Sequence, residues 1–89
     1  MKRNVIYEHR FDEELRAIES DSERADKFVY GVTWVLQREP ESGTRLNTDP
    51  PVWFIAAPDV FDIPYVIYYT FDEKMIYHES ISAELSLDS

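Results

Sequence analysis

The sequence predicts an α+β fold: a short N-terminal strand, a two-helix hairpin, then a three-strand antiparallel meander. Three observations predict it. Apolar residues recur at helical spacing between Phe11 and Leu36. Pro40 and Gly43 then punctuate the chain. From Val52 onward, apolar residues fall in short β-branched and aromatic runs separated by Pro, Asp and Lys. At 89 residues the length fits one domain, expected over residues 1–82 with a short acidic tail over 83–89.

Asn4 to Tyr7 reads as a strand, because β-branched and aromatic residues follow one another there. The first helix is expected to begin near Asp12, an N-cap residue type with Glu13 and Glu14 in the first turn. Phe11, Leu15 and Ile18 form its apolar stripe. Ser20-Asp21-Ser22-Glu23 separates the helices, with Ser20 or Ser22 as the second cap. In the second helix, Ala25, Phe28, Val29, Val32 and Leu36 share a face, and Trp34 and Val35 are expected to widen the buried arc. Gly31 costs roughly 1 kcal/mol of helix propensity relative to Ala, which points to a close approach there. Pro40 ends the helix, and Gly43 is expected to supply a left-handed turn.

Asn47-Thr48-Asp49-Pro50-Pro51 is a polar loop bounded by prolines. Val52–Ala56, Ile63–Phe71 and Met75–Ile81 are the expected meander strands. Pro58 to Asp62 joins the first two, and Asp72-Glu73-Lys74 turns the hairpin between the last two. Alternation puts Ile63, Tyr65, Ile67, Tyr69 and Phe71 on one face of the central strand, with Val66, Tyr68 and Thr70 on the other. Two short helices cover one side of a sheet. The opposite side is therefore the candidate partner-binding surface, formed by Val66 and Tyr68 with Trp53 and its neighbours.

Formal net charge is −9. After Arg45, Lys74 is the only Lys or Arg in the sequence. Nucleic-acid affinity comes largely from cations neutralising phosphates, so this balance disfavours it except through the ribosome. Cysteine is absent, which excludes disulfides and thiolate chemistry and suits a cytoplasmic location. No apolar run is long enough for a secretory segment or a membrane span. Neither HxxxH nor HExxH spacing occurs, and phosphate-loop and dinucleotide fingerprints are absent, so neither a metal nor a cofactor is expected.

The order strand, two helices, Pro-x-x-Gly-x-x-Leu and three meandering strands resembles the RelE/ParE superfamily of bacterial toxins. The likeness is carried by Phe28 to Leu36, Pro40 to Leu46, Pro64 to Asp72 and Met75 to Ile81. It implies the toxin component of a type II toxin–antitoxin module, neutralised by a cognate antitoxin protein. One branch of that superfamily cuts mRNA on the ribosome; another poisons DNA gyrase. The nuclease branch carries an Arg in the third strand, where this chain has Val66. Its late basic or His residue falls near Ala83 and Glu84. With both positions lost, the leading expectation is action through protein binding. An mRNA endoribonuclease with an atypical site drawn from Arg45, Tyr77, His78 and Glu79 is the alternative. A non-toxic homodimer or adaptor is the third. Acid–base cleavage would need His78 and Glu79 together, and neighbouring strand residues point apart unless a bulge intervenes.

Overall fold

The structure, a computed structural model, describes residues 3–56 and 65–83. In chain order it contains β1 (Asn4–Tyr7), α1 (His9–Ile18), α2 (Ser22–Arg38) and a 3-10 turn (Pro40–Ser42). These lead into β2 (Thr44–Arg45), β3 (Trp53–Ala56), β4 (Tyr65–Phe71) and β5 (Met75–Ala83). The strands form one mixed sheet in the order β1-β5-β4-β3-β2. The expected α+β class and meander are present, since β3–β4 and β4–β5 pair antiparallel. Two features go beyond the sequence reading: β1 pairs parallel with β5, and β2 adds a two-residue edge beside β3. The connection around Pro58 to Asp62 and the strand start at Ile63 lie outside the described residues. So does most of the acidic tail, but Ser82 and Ala83 belong to β5.

Both helix starts differ from expectation. Helix α1 begins at His9, three residues ahead of Asp12, with extended Glu8 as its N-cap and no side-chain cap bond. The Glu8 N–H bonds the His78 carbonyl, so the chain leaves the sheet and turns helical at once. That early start brings Phe11 into the core, where it is fully buried. Helix α2 is capped by Asp21 rather than Ser20 or Ser22. One Asp21 carboxylate oxygen accepts from the Glu23 and Arg24 N–H groups at 3.1 and 3.3 Å. A carboxylate serves the positive helix terminus better than a neutral hydroxyl.

The core lies between the helices and one sheet face. Phe11, Phe28, Val29, Val32 and Leu36 pack against Ile55, Ile67, Tyr69, Ile76 and Ile81. Two polar clamps seat α1. The Glu14 carboxylate accepts from the Ser80 hydroxyl at 2.6 Å and from the Ile81 N–H at 3.2 Å. Burial raises the Glu14 pKa, but these two bonds and Arg10 outweigh it and hold the carboxyl below its usual range. The Tyr65 hydroxyl lies 3.2 Å from both the Ile18 carbonyl and the Glu19 carboxylate, tying the end of α1 to β4.

Trp34 is not part of the buried arc: it is 51% exposed, and the Arg38 guanidinium stacks over its ring at 4.0 Å. Gly43 has φ −83° and ψ −166°, extended backbone rather than a left-handed turn. Glycine is needed there for space. A Cβ would collide with the Phe54 carbonyl oxygen and lie 2.5 Å from the Tyr69 hydroxyl. Buried Tyr69 anchors this turn, donating to the Pro40 carbonyl at 2.5 Å and accepting from the Gly43 N–H at 3.2 Å. Burial drives its pKa up to about 12, so the hydroxyl keeps its proton.

Candidate functional site

The residues proposed for acid–base chemistry do not meet. His78 sits on the core face of β5 with no exposed surface. Its ring stacks on Phe11 at 5.1 Å between centroids and tilts against Tyr7 at the same distance. Its Nε2 lies 3.0 Å from the Thr33 hydroxyl, which in turn lies 3.3 Å from the Tyr7 hydroxyl. Nδ1 is buried without a partner among the described residues. A hydrogen on Nε2 donating to Thr33 is the cheaper tautomer, because it leaves only a lone pair unmatched at Nδ1. Burial pushes the His78 pKa down to about 4, so the ring is neutral near neutral pH. This is a core histidine.

A bulge does exist beside it. Tyr69 pairs with His78 and Tyr68 with Ser80, leaving Glu79 as the extra residue. The bulge nevertheless fails to unite the pair. Glu79 turns away from the helices and accepts from the Thr70 hydroxyl at 2.9 Å, whereas His78 stays in the core. Tyr77 pairs with Thr70, away from the helices. Arg45 is exposed on β2, at the opposite edge of the sheet from β1. Two strands separate β2 from β5, about 14 Å at the usual strand spacing. No acid, base and cation converge among these four residues.

The partner-binding prediction needs two corrections. Trp53 pairs with Tyr69 and packs against the core cluster, on the helix side. Its neighbour Phe54 takes the place expected for it, opposite Tyr68 with ring centroids 6.2 Å apart. The strand alternates with period two, so locating the pair one residue off exchanges the faces. Val66 does face away from the helices, but it is only 2% exposed and offers little contact surface. Half-buried Phe54, Tyr68 and Tyr77 remain on that face. The described strand residues that share it include no Lys or Arg.

A second surface was missed by the sequence reading. Among the described residues, the most exposed large apolar side chains are Ile6, Tyr7, Tyr30 and Trp34. Ile6 pairs with Tyr77 and faces away from the helices, whereas the other three lie at the edge formed by β1 and α2. Tyr30, Trp34 and Arg38 recur every four residues on the side of α2 opposite Phe28, Val32 and Leu36. That spacing was the available signal, obscured by assigning Trp34 to the core. Clefts on either side of Tyr7 and Tyr30 share those two residues. One runs toward Thr33, Trp34 and Gln37, and the other opens between the helices beside Asp12 and Asp26.

Among the described residues, no group of three or more His, Cys, Asp or Glu side chains is placed to hold a metal ion. None of the described helices is long and apolar enough to cross a membrane. Comparison with protein-family models, curated proteins and solved structures finds no match to the chain.

Proposed function

We propose that this protein acts by binding polypeptide and not by cutting RNA, as the toxin component of a RelE/ParE-like toxin–antitoxin pair. The observation that carries the binding reading is the sheet face turned away from the helices. It combines half-buried Phe54, Tyr68 and Tyr77 with no cation among its described strand residues. Aromatic side chains supply contact area at low entropy cost and are enriched at protein interfaces. Stabilising a phosphorane-like charge draws on cations, and the described strand residues of that face include no Lys or Arg. The resemblance to the toxin superfamily supports the more specific identity, and the element order agrees with it.

The cognate antitoxin is expected to contact the protein through an apolar or basic segment, given the formal net charge of −9. Co-expression with the product of the adjacent reading frame tests this reading. Expected are a stable co-purifying complex, growth arrest when this chain is expressed alone, and rescue by the partner. Absence of both complex and arrest would sink it. Codon-phased mRNA cuts lost on His78→Ala would instead establish the nuclease. Sealing of His78 in the core predicts that no such cuts appear.

A further inference from the structure

The two helices leave a cleft of about 330 Å³ between them, and its walls combine aromatic rings with two carboxylates. Tyr7 of β1 and Tyr30 of α2 supply the rings, and Asp12 of α1 and Asp26 of α2 the carboxylates. The other acidic side chains within these helices are occupied. Glu13 lies 3.4 Å from His9, Glu14 is held by Arg10 and Ser80, and Glu23 lies 3.9 Å from Lys27. Asp12 and Asp26 have no side-chain hydrogen bond or ion pair among the described residues. Both also border the continuation of the cleft past Leu15 toward Ser20 and Ser22. Arg16 lines that continuation, yet forms no ion pair there.

Electron-rich ring faces and two free carboxylates attract a cation. A planar guanidinium suits the arrangement better than an ammonium, because it stacks on rings and offers several donors in a fixed fork. We propose that this cleft docks an arginine side chain of a partner polypeptide, held by Asp12 and Asp26 and stacked against Tyr7 and Tyr30. A polypeptide is the favoured source because the cleft does not end at the carboxylates. Tyr7 and Tyr30 also line a neighbouring cleft bordered by Thr33, Trp34, Gln37 and Arg38, a mixed polar and aromatic recess for the residues beside the arginine. The acidic balance of the whole chain complements a basic segment. The site lies on the helix side of the molecule and stands independently of the proposed role for the sheet face.

The test is a titration of the ¹⁵N-labelled full chain with a blocked Leu-Arg-Leu-Leu peptide and with its citrulline twin, which keeps the shape but lacks the charge. Saturable amide shifts should be confined to residues 5–15 and 25–38, with the arginine peptide binding about tenfold or more tightly. The Asp12→Asn/Asp26→Asn double variant should abolish that preference. Tyr30→Ser, at a position already 75% exposed and tolerant of change, should weaken binding about twofold to fivefold. Equal binding of the citrulline peptide, shifts spread over Glu41 and Glu73, or unaltered binding by both variants would overturn the site. Tighter saturation of the same amides by spermidine would overturn the polypeptide as its occupant.

Discussion

His78 is the residue whose surroundings make the sharpest prediction. Its unfolded pKa is near 6.5, whereas burial lowers the folded value to about 4. Between those values the unfolded chain binds more protons. The His78 contribution is therefore complete above pH 6.5 and is lost as pH falls toward 4. The total is roughly 3 kcal/mol, of which about 2 kcal/mol disappears between pH 7 and pH 5. Urea unfolding at those two pH values should show this decrease, and His78→Phe should flatten it. Glu14 and Asp72 also stabilise through lowered pKa values, Asp72 chiefly through the Lys74 and Met75 N–H groups. Their contributions fade below their unfolded values of 4.5 and 3.8, leaving the pH 7 to 5 interval to histidine. Thr33→Val is a companion experiment. It strips His78 Nε2 and the Tyr7 hydroxyl of a shared partner, and about 1–3 kcal/mol of stability should go with it. Recovery of much of that loss in the Thr33→Val/His78→Phe double variant would show that the pair acts as a unit.

Elements depend on single contacts at their ends. Gly43→Ala places a methyl group against the Phe54 carbonyl and the Tyr69 hydroxyl, where backbone must move to admit it. A loss of about 1–3 kcal/mol is expected in chemical unfolding. Asp21→Ala removes two accepted N–H bonds at the start of α2 and should cost about 1 kcal/mol. Periodicity made these elements legible, since a stripe such as Phe28-Val29-Val32-Leu36 has only one buried side to offer. Their ends were harder to read. Asp21 and Ser22 are equally plausible caps by type, and only the folded backbone decides which oxygen reaches two amides. Gly43 was recognisable as a necessary glycine, but its reason lay in β3 and β4, remote in sequence. Strand register was least accessible. The faces of β3 depend on whether Trp53 or Phe54 opposes Tyr68, a choice made by pairing across the sheet rather than by local pattern. The candidate site inherited that difficulty: Tyr68 was placed on the correct face, Trp53 was not, and Tyr30 remained unnoticed.

At the scale of the whole molecule, the two surfaces differ in how they use charge. Away from the helices, the described strands present aromatic groups and no Lys or Arg; between the helices, the inferred arginine site relies on two partly or fully exposed carboxylates. Apolar contacts respond weakly to ionic strength, whereas exposed ion pairs are screened as the Debye length contracts from about 10 Å at 0.1 M salt to about 3 Å at 1 M. Binding of a partner confined to the sheet face should therefore change by less than about threefold across that range. Complexes that engage the inter-helix cleft should weaken several-fold more, and Asp12→Asn/Asp26→Asn should remove the extra dependence. Nucleic-acid binding would behave differently again, falling by orders of magnitude through counterion release. Sedimentation velocity of the purified complex at low and high salt separates these cases. A steep loss that persists in the double Asn variant, joined by nuclease-sensitive association, would refute a polypeptide-binding role for the sheet face turned away from the helices.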